Sequence, residues 1–280
     1  MVGEAIVQHR GIDKVSFTGS TEVGRHVAAA AGERLAHVSL GLGGKSPNIV
    51  FPSAATAKRI QATAAGALLA MRFTRQGQSC TAGSRLFVHE DVYEEFLDVL
   101  AKQVGALKVG DPLDEDTDMG TIISAKQHQS VCAYVAEAKS QPGVRVVLDG
   151  SGVTLEGLDG FYQGPTILAG VSNDWRVAQE EVFGPVLVVI PWRDVDDVVA
   201  MANDSHYGLA AYVWSADLDE ALSTANRIES GWVQVNQGGG QVVGQSYGGY
   251  KESGIGREFS IEGAIAGFTQ TKQINVKLSV

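Results

Sequence analysis

Short apolar runs alternate along the chain with longer segments whose apolar residues recur at helical spacing. Helical spacing is found in residues 25–31, 54–71, 194–202 and 218–228, and in a segment that opens at Asp91. The strand-like runs are residues 15–17, 38–40, 48–51, 85–89, 144–148, 186–190, 212–214 and 232–236. Such alternation predicts an α/β fold with a mostly parallel sheet. The uninterrupted apolar run 186–190 predicts a strand that is buried on both faces.

The C-terminal segment has a different pattern. Residues 274–280 alternate apolar and polar side chains, which predicts a strand with one buried face. An edge strand of this kind at a chain terminus often pairs with another sheet or subunit.

Composition narrows the class of protein. The chain has 280 residues, 44% of them hydrophobic, and a formal net charge of −10. This length allows one large or two ordinary domains. The acidic balance argues against a nucleic acid partner and against an anionic membrane surface.

The start of the chain has no basic region followed by an apolar one, and the sequence has no run of 18 apolar residues, so no export or membrane segment is indicated. The two cysteines form neither a disulfide framework nor a zinc motif, which suits a reducing cytoplasm and predicts no metal.

The first candidate site is the segment 17–24, where a predicted strand passes into a helix through Gly19 and Ser20. Free amides at a helix N-terminus can bind a phosphate or pyrophosphate. A serine at this position is also the ordinary way to cap a helix, so a capped turn without a ligand is the alternative.

The second candidate is Cys80, which follows a polar, glycine-containing loop just before a predicted strand. A nucleophilic thiol needs access, a lowered pKa and nearby backbone amides, all of which such a loop can supply. The alternative is a small buried hydrophobic residue. We expect that role for Cys132, which lies inside a predicted helix over residues 130–138.

Two further segments contain candidate residues. Glu180 and Glu181 precede a Phe-Gly-Pro turn, and a carboxylate there could accept hydrogen bonds from a ribose, although solvated surface charge is the commoner role of such a pair. Residues 247–258 contain four glycines, which indicates an unusual backbone.

Taken together, these segments resemble in order and spacing the aldehyde dehydrogenase superfamily, from about Gly11 to the C-terminus. The likeness is carried by Phe-Thr-Gly-Ser-Thr-Glu-Val-Gly at 17–24, Leu-Gly-Gly-Lys-Ser-Pro at 42–47, Gly-Gln-Ser-Cys at 77–80, Glu-Glu-Val-Phe-Gly-Pro at 180–185 and Gly-Gly-Tyr-Lys-Glu-Ser-Gly at 248–254.

The resemblance implies an enzyme that oxidises an aldehyde to a carboxylic acid with NAD or NADP. Cys80 would be the nucleophile, which forms first a thiohemiacetal and then a thioester that water hydrolyses. The positions implied to contact the cofactor are Gly19, Ser20, Leu42, Gly43, Glu181 and Phe183. The segment from Phe268 resembles an oligomerisation strand, which implies a homodimer or homotetramer.

One departure from the family pattern affects the chemistry. Relatives usually have a general-base glutamate directly before Leu-Gly-Gly-Lys, and this chain has Gly41 there. Because general base catalysis typically contributes about 10²- to 10⁴-fold, we expect slow thioester hydrolysis and an accumulating acyl-enzyme. Glu258 matches a second acidic position of the family and could partly substitute through water.

A second departure is that the likeness begins deep inside the cofactor domain. We expect a chain truncated at its N-terminus, with a cofactor-domain remnant at 1–43, a catalytic domain at 44–250 and a return segment with the oligomerisation strand at 251–280. The Asn that helps to stabilise the oxyanion in the family lies upstream of the match, so only the Cys80 amide would remain for that role.

Two other functions stay open from the sequence alone. One is a thiol esterase or acyl-transfer activity of Cys80 without redox chemistry. The other is a non-catalytic fragment that assembles with itself or with a longer relative.

Overall fold

The computed structural model describes residues 2–278, which form nine helices and twelve strands. The helices are α1 (Val2–Gln8), α2 (Thr21–Gly32), α3 (Ile60–Met71), α4 (Tyr93–Gly105), α5 (Ala125–Lys139), α6 (Arg176–Gln179), α7 (Val195–Asn203), α8 (Leu218–Arg227) and α9 (Ile261–Phe268). The strands are β1 (Lys14–Thr18), β2 (His37–Gly41), β3 (Pro47–Val50), β4 (Arg85–His89), β5 (Arg145–Leu148), β6 (Thr166–Ala169), β7 (Val186–Trp192), β8 (Tyr207–Gly208), β9 (Ala210–Trp214), β10 (Trp232–Val235), β11 (Tyr250–Lys251) and β12 (Gly254–Ile255).

Most of the molecule is built on a seven-stranded sheet with the order β10-β9-β3-β4-β7-β6-β5. Every neighbouring pair is parallel except β5 and β6 at one edge. Successive residues of the central strands enter opposite cores: Leu86 packs with α3 and α4, and Phe87 packs with α7 and α8. The predicted α/β fold with a mostly parallel sheet is confirmed, and residues 186–190 are buried as expected.

A second, three-stranded sheet has the order β1-β2-β12. Strands β1 and β2 are parallel, and β12 joins antiparallel to β2 from the far end of the chain. Helix α2 covers this sheet so closely that a Cβ at Gly24 would lie 2.4 Å from the Leu42 side chain. The first 43 residues therefore share their sheet with residues 254 and 255.

The buried Arg85 side chain on β4 connects the turn before β3 with the end of helix α7. Its guanidinium donates to the carbonyl oxygens of Lys45 at 2.9 Å, Met201 at 2.9 Å and Ala202 at 2.7 Å, and to Asn173 Oδ1 at 3.1 Å. Two of these acceptors are carbonyls at the end of α7, which an intrahelical bond cannot satisfy. Burial lowers the pKa of Arg85 to about 10, which leaves it charged at neutral pH.

Several predicted boundaries differ from the structure. The helix predicted for 54–71 begins only at Ile60, because Pro52–Ala54 form a separate 3₁₀ turn. The strands β6, β8, β11 and β12 and the helices α1, α6 and α9 were not predicted. Among the described residues, no helix has the length and apolar character needed to cross a membrane.

The C-terminal segment does not form the predicted strand within this chain. Helix α9 ends at Phe268, and residues 269–278 have no strand assignment and are exposed. Residues 279 and 280 of the predicted strand lie outside the described part. A strand needs a neighbour for its backbone groups, and residues 2–278 place none beside residues 274–278.

Candidate active site

The loop that carries Cys80 follows three residues with left-handed backbone geometry. Arg72 ends α3 with φ +61°, Gln76 has φ +55° and Gly77 has φ +62°. A Cβ at Gly77 would lie 2.1 Å from the carbonyl oxygen of Gly184, so only glycine allows the loop to pack against that turn. The loop leaves Cys80 half-buried ahead of β4.

The surroundings of Cys80 act on its thiol in opposite directions. Burial raises the thiol pKa, and the negative charge of Glu181 adds to the increase, whereas a contact with the Tyr247 hydroxyl and the amides of Cys80 and Thr81 lower it. Among the described residues, no carbonyl accepts from either amide. Two free N–H groups next to a thiol can stabilise negative charge on sulfur, or on an oxyanion that forms beside it.

Glu181 lies against the turn that connects the two sheets. Its Oε1 accepts a hydrogen bond from the Gly44 N–H at 3.1 Å, and a Cβ at Gly43 would be 2.6 Å from its Oε2. Burial raises the pKa of Glu181, which this hydrogen bond and the charge of the buried Lys45 counteract. The structure therefore brings Gly43, Glu181 and the Cys80 loop together.

Gly44 is the point of closest approach between this turn and the thiol loop. A Cβ on residue 44 would lie 2.2 Å from the Cys80 carbonyl oxygen. We expect Gly44→Ala to displace Cys80, to cost about 1–3 kcal/mol of folding free energy and to change thiol reactivity. Thermal melting and Cys80 alkylation rates measure both effects. Gly239→Ala is the control, since a Cβ there meets no atom within 4 Å. Equal melting temperatures and equal alkylation rates for Gly44→Ala and Gly239→Ala would contradict the expectation.

Gly19 and Ser20 lie where β1 meets α2. Ser20 is the N-cap residue, and its Oγ accepts from the Val23 N–H at 3.4 Å, as in the capped turn that was the alternative for this motif. The neighbouring Thr21 Oγ1 is buried and has no well-formed hydrogen bond within the described residues. The free amides of the α2 N-terminus can bind an anionic ligand in addition to the cap, and the Thr21 hydroxyl, which has the Tyr207 side chain beside it, is a further polar group there.

Gly41 ends β2, and Leu42 follows it directly. The Gly19 N–H donates to the Gly41 carbonyl at 3.1 Å, so the two positions are neighbours. A Cβ at Gly41 would lie 3.4 Å from Thr18 Oγ1, an ordinary van der Waals distance. Leu42 is buried against α2 and serves as a core residue of the small sheet.

Glu258 and Phe183 lie at the periphery of the site. The Glu258 backbone pairs with Tyr247 through hydrogen bonds of 2.7 and 3.0 Å. Phe183 is 36% exposed and has φ +50°, a strained value for a residue with a Cβ. Gln127 donates to the carbonyls of Val182 and Phe183 and fixes that backbone.

The expectation that Cys132 is a buried hydrophobic residue is wrong. Cys132 is exposed on α5, 3.7 Å from His128 Nε2. The buried face of α5 is formed by Val131, Tyr134, Val135 and Ala138. Position 132 is rotated by about 100° from Val131 around the helix and so points outward.

Two contributors to the site were not found in the sequence. Tyr247 places its hydroxyl 3.7 Å from Cys80 Sγ. The buried Ser253 hydroxyl donates to the Gly43 carbonyl at 2.6 Å and accepts from the Gly208 N–H at 3.0 Å, which fixes the glycine turn. Their partners are 167 and 210 residues away in the sequence, so no local pattern could reveal these contacts.

The α/β fold thus brings a half-buried thiol, a buried carboxylate and a glycine turn between two sheets into one place. The profile of the aldehyde dehydrogenase family matches residues 1–274, and the chain belongs to this family. The match includes the first ten residues, which precede the likeness visible in the motifs.

Similar proteins include a hydroxyisobutyraldehyde dehydrogenase of Mycolicibacterium austroafricanum, 41% identical over 276 residues, which are 99% of this chain and 53% of that protein. A betaine aldehyde dehydrogenase of Brucella ovis is 42% identical over 278 residues, 99% of this chain and 56% of its own length. The chain thus spans about half the length of the curated relatives it matches.

Solved structures also match this chain over about half of their own length. An NAD⁺ complex of an aldehyde dehydrogenase from Bacillus cereus superimposes with a TM-score of 0.92 at 37% identity, covering 99% of this chain and 54% of that one. An indole-3-acetaldehyde dehydrogenase from P. syringae, solved with NAD⁺ and IAA as a C302A mutant, gives 0.92 at 40% identity, with 99% and 55% coverage.

Proposed function

We propose that this chain carries the catalytic portion of an enzyme that oxidises an aldehyde to a carboxylic acid with NAD⁺ or NADP⁺. The observation that carries the proposal is the half-buried Cys80 thiol beside two free amides, with Glu181 held across the glycine turn. Family membership and the NAD⁺ complexes of similar structures support it.

The residues of the site divide the chemistry between them. After the Cys80 thiol has lost its proton to solvent, the thiolate adds to the aldehyde carbon and the carbonyl oxygen becomes an oxyanion. The Cys80 and Thr81 amides donate to that oxyanion. A bound nicotinamide supplies the acceptor for the hydride that leaves the former aldehyde carbon. Water then cleaves the resulting thioester to the acid and regenerates the thiol.

The residues present fit a dinucleotide. The α2 N-terminus and the buried Thr21 hydroxyl suit a pyrophosphate, with Gly19 and Ser20 allowing close approach. Glu181 would hold a ribose hydroxyl, and Gly43 leaves space beside it because a side chain there would strike the carboxylate. Leu42 and Phe183 would pack beside the nicotinamide.

The purified chain tests this proposal when it is mixed with a short aldehyde and NAD⁺ or NADP⁺. We expect a burst of about one equivalent of reduced nicotinamide, followed by slow turnover because Gly41 cannot take a proton from water. Cys80→Ser removes the burst, and Cys132→Ser retains it because that thiol lies on the outer face of α5. No burst with either cofactor would contradict the proposal.

A second candidate is ester cleavage by Cys80 without redox chemistry. It is favoured by the position of the thiol loop. This loop leads into β4 of the large sheet and packs against the 183–185 turn. Hydrolysis of an activated ester that requires Cys80 and does not respond to NAD⁺ would support it.

We propose also that the chain is cytoplasmic and forms homo-oligomers. The exposed C-terminal side chains Phe268, Ile274, Val276 and Leu278 would pack against a second copy. The division at residues 43 and 250 remains a proposal, with 251–280 returning to the small sheet through β12.

A further inference from the structure

The hydroxyl of Tyr247 is directed at the reactive sulfur of this site. Its oxygen lies 3.7 Å from Cys80 Sγ, within hydrogen-bonding distance for sulfur. The ring packs edge-on against Trp232, with centroids 5.9 Å apart, and lies 5.5 Å from the ring of Phe259. Backbone hydrogen bonds to Glu258 fix the position of the residue. The aromatic packing and the backbone pairing together hold the hydroxyl beside the sulfur.

We propose that Tyr247 is a further catalytic residue, whose O–H donates a hydrogen bond to the Cys80 thiolate and so increases the fraction of reactive sulfur. Its role in aldehyde oxidation rests on the proposed function; its effect on the thiol does not. The hydrogen bond moves no proton, since the thiol proton leaves to solvent and the phenol keeps its own.

The direction of the hydrogen bond follows from which group ionises first. Burial and the neighbouring Cys80 charge raise the pKa of Tyr247 well above its ordinary value, so the phenol stays protonated while the thiol titrates. A thiolate has no proton to donate, which leaves the phenol as the donor. The bond therefore opposes the burial that raises the Cys80 pKa.

The opposite arrangement predicts an opposite result. If the thiol donated to the phenol oxygen, the bond would stabilise neutral sulfur, and removing the hydroxyl would make Cys80 more reactive. The sign of the change in reactivity separates the two arrangements.

The test is alkylation of Cys80 by iodoacetamide across a pH series, in a Cys132→Ser background that leaves one thiol. Tyr247→Phe keeps the ring and removes only the hydroxyl. A hydrogen bond to a charged group favours the thiolate by about tenfold or more, and part of this is offset because a more basic thiolate is more nucleophilic. We expect alkylation about three- to tenfold slower at pH 7, with a rate at high pH that is equal or faster.

Tyr212→Phe is the matched control. The Tyr212 hydroxyl is also buried beside the loop, but it donates to the Thr81 carbonyl at 2.8 Å and makes no hydrogen bond to the sulfur. An unchanged or faster reaction of Tyr247→Phe at pH 7 overturns the proposal. An equal slowing in Tyr212→Phe also overturns it, because general disturbance of the loop would then explain the result.

A second measurement is available if Tyr247→Phe does not fold. Replacing the tyrosines biosynthetically by fluorotyrosine makes each phenol more acidic and a stronger donor, so alkylation of Cys80 at pH 7 should become faster. A slower or unchanged rate contradicts the proposal. Alkylation requires neither aldehyde nor nucleotide, so failure of the burst experiment and failure of this proposal are distinguishable.

Discussion

Gly41→Glu is expected to raise the steady-state rate of aldehyde oxidation by about 10²- to 10⁴-fold, the typical contribution of a general base. The resemblance to relatives places a glutamate at this position, and glycine has no group to accept a proton from the deacylating water. The rate of the first turnover should stay unchanged, because acylation of Cys80 does not use this base, and the burst should become smaller as deacylation ceases to limit turnover.

The structure leaves space for a Cβ at position 41. A Cβ there contacts Thr18 Oγ1 at 3.4 Å and approaches no atom more closely. Gly41→Gln is the matched control, with nearly the same shape and no basic carboxylate. The formation of reduced nicotinamide is measured beyond the first turnover, which gives the steady-state rate of each variant. Equal steady-state rates for Gly41→Glu and Gly41→Gln would show that deacylation does not use a base at this position.

Arg85→Leu is expected to destabilise the fold by about 3–5 kcal/mol, because it removes one donor that serves several buried acceptors. The substitution removes the donor to the carbonyls of Lys45 and Ala202, whereas the Met201 carbonyl keeps the Asn173 amide as a donor. Each unsatisfied buried acceptor costs about 1–3 kcal/mol. Urea unfolding followed by the fluorescence of the four tryptophans measures the change.

Arg25→Leu is the control for the loss of an arginine. Arg25 is 66% exposed and pairs with Glu252 at the surface, and such ion pairs contribute about 0–1 kcal/mol. Arg85→Lys should lie between the two, because an ammonium keeps the charge but cannot reach all four acceptors. Similar unfolding midpoints for Arg85→Leu and Arg25→Leu would contradict the structural role of Arg85.

The strands of the large sheet could be predicted from the sequence because burial on both faces leaves continuous apolar runs, as in β7. Strand β6 was missed because Thr-Ile-Leu-Ala contains only two large apolar residues and stands between Pro165 and Gly170. The C-terminal alternation at 274–278 is present in the sequence, but a strand also requires a neighbour, and periodicity cannot show whether one exists.

Some residues of the candidate site could likewise be predicted from the sequence, and others could not. Cys80 and Glu181 lie in local motifs, so the sequence identified both as candidates. The contact of Tyr247 with Cys80 depends on how two distant segments fold together, and a glycine-rich stretch around a tyrosine gives no sign of it. For Cys132, the helix was predicted correctly, but the helix face on which the thiol lies was not.

The strand order of the large sheet also determines when the sheet can be completed during synthesis. Strand β3 pairs with β4 on one side and with β9 on the other, and β9 begins at Ala210. One edge of β3 therefore stays open on the ribosome until more than half of the chain has followed it. Long-range parallel pairing of this kind folds slowly and exposes apolar edges meanwhile. Lower growth temperature or added chaperone should therefore increase the yield of folded chain.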